Sequence, residues 1–195
     1  MVKLDTTNDT YVLFLDLQEI DDLHNIELVV NEAKKCPANP VLPLGDVGDW
    51  DLRRASSWGG SVIYDKEEEI FKMWYFGSDA RQDNFSAIGY AWSEDGQFWH
   101  KPDFEFYEKR NVPNNIVFHS PTGLKTYSHY DPERSCYFTV EKDYKEDDPD
   151  KRYKGWTQCY NEKEDDNDYF PVYSPDGIHW KLGSEPVNYP TADPT

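Results

Sequence analysis

Apolar and polar positions divide this chain into short runs, with no long helical stretch among them. Residues 60–65 (Gly-Ser-Val-Ile-Tyr-Asp), 70–77 (Ile-Phe-Lys-Met-Trp-Tyr-Phe-Gly) and 87–93 (Ala-Ile-Gly-Tyr-Ala-Trp-Ser) are rich in β-branched and aromatic side chains. Such runs, bounded by turn formers, read as strands. The charged stretch 66–69 makes the first turn. Glu94-Asp95-Gly96 makes the last, and Asp-Gly is a strong hairpin signal. Phe98 to Lys101 then reads as a fourth strand, completing an antiparallel meander. Upstream, residues 11–16 and 27–31 read as strands, with one helical turn over 17–25. A proline-rich stretch, 36–45, follows, and residues 46–58 read as a polar, aromatic-bearing loop.

The same pattern returns downstream. Residues 136–142, 152–158, 169–174 and 178–181 read as four strands, with an acidic turn over 143–151 and a Pro175-Asp176-Gly177 turn before the last. Ser93 to Ser174, Asp95 to Asp176 and Trp99 to Trp180 are each 81 residues apart, and Lys72 to Lys154 is 82. Four markers at nearly one offset define a repeat. A repeated four-stranded meander is the blade of a β-propeller, so the expected fold is all-β, with two blades present. The expected division is an N-terminal segment, 1–35, followed by two blades over 36–195. The long crossover, 102–133, is of a length that is usually functional, and in propellers crossovers form the mouth of the central pocket. In Ser-x-Asp-Gly-x-x-Trp the carboxylate can accept turn N–H groups. Ser93, Asp95, Ser174 and Asp176 are therefore read as structural, with Trp99 and Trp180 packing between blades.

Charge narrows the ligand classes. The chain carries 38 acidic and 20 basic residues, a net charge of −18. That field repels a phosphate backbone and argues against nucleic acid. Aromatics make up 16% of the chain, and Tyr and Trp suit sugar-binding surfaces as well as strands. No run of 18 apolar residues occurs, which argues against a membrane span. The polar start Met1-Val2-Lys3-Leu4-Asp5 does not read as a signal peptide, so a cytoplasmic location is the default expectation. Cys36, Cys136 and Cys159 match no metal spacing and read as free thiols. The acidic runs 146–150 and 162–168 lack the glycine of a calcium loop and read as solvated turns; no metal or cofactor is expected.

Several segments together carry a resemblance: Asn39-Pro40-Val41-Leu42, Trp50-Asp51, residues 61–65, Lys72-Met73-Trp74-Tyr75, Arg152-Tyr153-Lys154 and residues 173–180. They resemble the opening blades of five-bladed propeller glycoside hydrolases of the arabinanase, levansucrase and invertase type (families 43, 68 and 32) and their uncharacterised relatives. The resemblance covers roughly residues 11–195. It implies a carbohydrate substrate, cleavage or transfer of a furanoside-type or related bond, and carboxylates converging on the propeller axis. Five units of this length far exceed 195 residues, so it also implies an N-terminal fragment, with the general acid beyond Thr195.

The resemblance places a base or nucleophile at the start of the innermost strand of blade one. That stretch reads Ser57-Trp58-Gly59-Gly60-Ser61, without the expected Asp. Asp51 is the preferred substitute, and Asp131, followed by Pro132, is the second carboxylate candidate, although residues 131–134 also read as a plain turn. Trp58 is a candidate stacking platform; Arg53, Arg54, His119 and His129 are candidate substrate contacts. Two readings stay open besides the hydrolase: a propeller that binds carbohydrate without cleaving it, which the missing Asp favours, and an interaction propeller.

Overall fold

The computed structural model describes residues 3–5, 10–12, 24, 25, 27, 29–79, 85–104, 106, 107, 114–126, 129–131 and 134–187. The chain divides into two units, Met1–Cys36 and Pro37–Thr195. In the first, β1 (Lys3–Asp5) pairs antiparallel with β2 (Thr10–Val12). The strand expected over 11–16 thus begins in β2, and residues 13–16 lie outside the described residues, as does most of the helical turn expected over 17–25. The strand expected over 27–31 is not formed at residues 29–31. Val29 and Val30 are exposed, so their side chains have no sheet face to bury against.

The second unit holds two four-stranded antiparallel sheets. The first has the order β3 (Arg54–Asp65), β4 (Ile70–Ser78), β5 (Ser86–Ser93), β6 (Ile116–Phe118). The second has the order β9 (Cys136–Lys142), β10 (Tyr153–Asn161), β11 (Asp166–Ser174), β12 (Lys181–Leu182). Between them a small hairpin forms from β7 (Leu124–Thr126) and β8 (His129–Asp131). These are two propeller blades in sequence order, as the repeat predicts. Their first strands lie side by side, and the Val140 N–H donates to Ser61 Oγ at 2.8 Å. No helix among the described residues is long and apolar enough to cross a membrane.

Several boundaries differ from expectation: β10 runs on to Asn161, the strand expected over 178–181 forms only at Lys181–Leu182, and three further differences bear on the blades. First, β3 starts at Arg54, inside the segment read as a loop, because residues 54–56 pair with the end of β4 beyond an irregularity. Second, only His100 of the expected strand 98–101 bridges to β5, and the fourth strand is completed by β6 from the long crossover. Third, β11 begins at Asp166, so the acidic run 162–168 is part turn and part strand. Cross-strand pairing reaches Asn161–Asp166, and the Asn161 amide donates to Asp168 at 2.8 Å. The crossover is pinned: Asn167 exchanges hydrogen bonds with the Lys125 backbone, and Ser86 does so with the Ser135 backbone.

Alternation along β4 explains its continuous apolar run. Trp74 and Phe76 point toward the second blade and pack with Phe138, Val140, Tyr153 and Val172. Met73 and Tyr75 point the other way and pack with Trp50, Phe85, Ala87 and Ile116. Successive strand residues face opposite sides, so a sheet covered on both faces must be apolar at nearly every position. The two repeated turns behave alike. Asp95 Oδ1 accepts from the N–H groups of Gln97 and Phe98, and Asp176 Oδ1 from those of Ile178 and His179. Trp180 packs in the junction between the blades, as expected. Trp99 instead packs on the far face of blade one, in the cluster holding Trp50 and Leu42. A segment of residues 42–50 covers that face, where a preceding blade would lie.

The junction between the blades is ionic at one end. Asp65 is fully buried. It accepts from Lys142 Nζ at 2.8 Å and from the Tyr153 hydroxyl at 2.7 Å, and Lys72 Nζ lies 3.0 Å away. Burial pushes its carboxyl up, but the hydrogen bonds from Lys142, Tyr153 and Lys72 outweigh it and hold the group well below the usual carboxylate range. At the turn, burial also raises Asp176, and the bonds from His179 and Ile178 bring it down to about 2. A carboxylate depressed in the folded state contributes stability above its unfolded value, and that contribution is lost as pH falls below it. Acid unfolding is therefore expected to set in below pH about 4, read by far-UV circular dichroism. Asp65→Asn leaves Lys72 and Lys142 buried without their shared anion and is expected to cost about 3 kcal/mol or more in urea unfolding. The variant should also lose the Asp65 share of the acid sensitivity and keep that of Asp176.

Candidate functional site

Both innermost strands are irregular at the same end. In β3, Ser56 pairs with Phe76 and Ser61 with Trp74, so residues 57–60 stand opposite Tyr75 alone. Gly59 adopts φ +73°, and a Cβ on Gly60 would run into the Trp74 carbonyl, so the Gly59-Gly60 pair is what this local path requires. In β9, Cys136 pairs with Gln158 and Phe138 with Thr157, leaving Tyr137 as an extra residue. Tyr137 is held at φ +48°, a left-handed conformation that is strained for a bulky side chain. β-Bulges re-aim side chains and concentrate next to active sites.

These two bulges bring Trp58 and Tyr137 together, with ring centroids 5.1 Å apart and a tilt of 53°. Trp58 remains 53% exposed. The Arg54 guanidinium lies 5.1 Å from the Trp58 ring and 4.9 Å from Phe76. Such stacking is worth roughly 0.5–1 kcal/mol at an exposed site. The cluster is an aromatic platform beside a fixed cation. It stands where the resemblance calls for a nucleophile and supplies no carboxylate.

Asp51 sits in a different cluster, on the face of blade one turned away from blade two. It is buried, and Oδ2 accepts from the Tyr75 hydroxyl and from Lys101 Nζ, each at 2.7 Å. Asn115 binds both Tyr75 and the Trp50 indole N–H. Burial, and then the charge of Asp51, push the Tyr75 phenol well above its ordinary value, which keeps it a donor. This cluster borders a cavity of about 230 Å³, lined by Asp49, Trp50, Asp51, Lys101, Asp103 and Asn115 among others. A buried carboxylate held by one lysine and one phenol can bind a polar group, and here it also fixes the covering segment to the sheet.

The remaining candidates are dispersed. Arg53 is exposed, and its backbone N–H donates to the Ser78 carbonyl at 3.0 Å. His119 follows β6 and is half-buried, with its ring stacked on Phe85 at 5.3 Å. Asp131 is buried at the end of β8, opposite Leu124. His129 opens β8 opposite Thr126, and its side chain lies outside the described residues. The structure thus brings Arg54 to Trp58, while Asp51 and Asp131 are held by separate elements. Cys159 is a buried free thiol. No group of three or more His, Cys, Asp or Glu side chains suited to a metal converges among the described residues.

No protein-family profile matches the sequence. No curated protein matches it. Among solved structures, the chain is similar to an N-acetylgalactosamine deacetylase from F. plautii in complex with blood group B trisaccharide, at 16% identity and a TM-score of 0.42, over 68% of this chain and 31% of that one. It is also similar to a GH32 beta-fructofuranosidase of Bombyx mori, at 15% identity and a TM-score of 0.38, over 64% of this chain and 22% of that one. The chain spans less than a third of the length of either protein.

Sequence reasoning missed Tyr137, Lys101 and Tyr75. Gly59-Gly60 inside a strand pattern is a bulge signal that could have located the platform. Nothing local marks Lys101 as the partner of Asp51, 50 residues away. Lys101→Met is expected to lower the urea-unfolding free energy by about 3 kcal/mol, because it strands a buried carboxylate. Asp51→Asn should cost less, since Asn still accepts from Tyr75 and the partly exposed Lys101 can turn to water. Equal losses in the two variants would argue against an ionic role for the pair.

Proposed function

We propose that this chain is part of a carbohydrate-binding β-propeller, and that the sugar rests on the Trp58–Tyr137 pair. The observation that carries this reading is the coincidence of two bulges. Each costs its strand a ladder register, and together they set the exposed Trp58 against the half-buried Tyr137 beside Arg54. A flat apolar ring with a polar edge fits the apolar face of a pyranose or furanose, and the Arg54 guanidinium offers planar donors to its hydroxyls. The net charge of −18 suits a neutral ligand better than an anionic one.

A specific observation favours a second reading, glycoside hydrolysis. Asp51 is a buried carboxylate bordering a polar cavity, beside a lysine that stabilises its charge. Hydrolysis needs a second carboxyl about 5–9.5 Å from the first. Asp131 is the candidate for that role from the sequence.

A glycan array probed with the full chain, run in parallel with an assay for reducing-sugar release, separates the two readings. Binding without release is expected. Trp58→Ala should weaken binding at least tenfold, about 1.4 kcal/mol. Because Trp58 is half exposed, the unfolding midpoint should stay within about 0.5 kcal/mol of the parent. Retained binding in Trp58→Ala sinks the platform. Sugar release that disappears in Asp51→Asn, with binding intact, establishes the hydrolase reading instead.

A further inference from the structure

Arg54 differs from the other cations that rest on aromatic rings. Lys72 lies over Tyr153, Lys101 over Tyr75, Lys142 over Tyr144 and Tyr153, and Lys151 over Tyr173. Each of those lysines also binds a carboxylate: Lys72 and Lys142 bind Asp65, Lys101 binds Asp51, and Lys151 binds Asp148. Arg54 lies over Trp58 and Phe76. Among the described residues, no carboxylate comes within ion-pair distance of its guanidinium.

Acid is plentiful, with 38 acidic residues in the chain against 20 basic ones. Asp79 directly follows Ser78, the residue paired with Arg54, yet it is buried and forms no ion pair with Arg54. The acidic turn from β10 to β11 stands at the same end of the sheets, one to two strand spacings beyond β9. Asp165 in that turn is bound by Lys125 and by the Tyr160 hydroxyl. Arg53 and Arg134, exposed just before β3 and β9, likewise have no carboxylate partner among the described residues. Arg152, at the other end of the blades, is bound by Glu67 at 2.8 Å.

We propose that the sugar seated on Trp58 and Tyr137 carries a carboxylate, and that Arg54 is the residue that selects it. The inference rests on that aromatic pair being the sugar site. A guanidinium laid on ring faces keeps its donors at its rim and in one plane, where the two oxygens of a carboxylate accept a parallel pair of hydrogen bonds. Contact with Trp58 and Phe76 orients this fork before a ligand arrives, so less side-chain freedom is lost on binding. A hydroxyl group accepts one such bond and leaves the charge unneutralised. A uronic acid joins an apolar ring face and a carboxylate in one unit, which matches an aromatic platform with a cation at its edge.

The net charge of −18 disfavours anions at long range. At about 0.15 M salt, however, a charge is largely screened beyond about 8 Å. Contact chemistry at the platform then outweighs the overall sign. The neutral sugar that whole-chain charge favours and the acidic sugar that Arg54 favours can differ by one group, a hydroxymethyl against a carboxylate.

The test titrates the full chain, at about 0.15 M salt, with oligosaccharides ending in glucuronate or galacturonate, with their carboxyl-reduced counterparts and with sulfated ones. The parent should bind a uronate at least about tenfold more tightly than its reduced form. Arg54→Gln should bring the two forms to within about twofold of each other, and Arg54→Lys, which keeps the charge without the fork, should retain only part of the preference. Arg54 is exposed, so both variants should unfold at the parent's midpoint. Equal binding of the two forms by the parent overturns the inference and leaves the platform standing. So does binding of neither form when other neutral glycans still bind through Trp58. Failure to bind any glycan overturns the platform, and the inference with it. A preference that persists in Arg54→Gln, or tighter binding of the sulfated form than of the uronate, overturns the assignment of a carboxylate to Arg54.

Discussion

Asp65 keeps a full negative charge without solvent contact, between two sheets whose sequences lie nearly 80 residues apart. Its carboxylate is worth having there only because Lys142 and Tyr153 of blade two, and Lys72 of blade one, all reach it. Removing any one of them takes a donor from a buried carboxylate, and removing both lysines would leave its charge unpaired. The rest of the architecture depends on the register that this clasp sets. With Asp65 engaged, Trp74 meets the Gly177 carbonyl, Ser61 meets the Val140 N–H, and the first strands of the two blades lie side by side. Apolar contact alone would tolerate a slip between the sheets, whereas three directed donors on one carboxylate tolerate none.

That register also creates the platform. β3 and β9 are parallel neighbours only because the blades are stacked in phase, and their bulges therefore fall at the same end. The two strands each yield a ladder position, and Trp58 and Tyr137 come within ring contact. The strain at Tyr137 sits beside the most exposed aromatic of the inner strands, which is where strain tends to serve function. Asp51 has a different character. It ties Lys101, Tyr75 and the covering segment of residues 42–50 to blade one, so any chemistry at its cavity is coupled to the packing of that face.

The two faces of a blade are treated unequally along the chain. Blade one is covered on one side by residues 42–50 and on the other by blade two. Among the described residues, blade two leaves Trp156, Thr139 and Glu141 exposed on its other side. The repeat carries its own specification for the contact between the two blades: an anion and a tryptophan on one blade, a lysine, a tyrosine and a turn carbonyl on the next. At the matching positions blade one carries Tyr64 and Phe71, and residues of the 42–50 segment pack on that face.

The sequence by itself determined the strand-and-turn repeat, the all-β class and the structural role of Asp95 and Asp176, because these rest on residues close together in the chain. Alternation, Asp-Gly turns and the 81-residue offset are local or periodic signals, and the β4, β5 and β9 cores follow from them. It also offered Trp58 as a stacking platform and Arg54 as a substrate contact, because a tryptophan beside Gly59-Gly60 stands where the resemblance places the site. Tertiary structure alone decided the rest. The start of β3 at Arg54, the completion of the first sheet by β6, the burial of Asp65 and the meeting of Trp58 with Tyr137 all depend on cross-strand register and on contacts between residues about 80 apart. A carboxylate next to a turn reads as solvated until the cations that bury it are folded against it, and no pattern within one blade states which residues of the next will arrive.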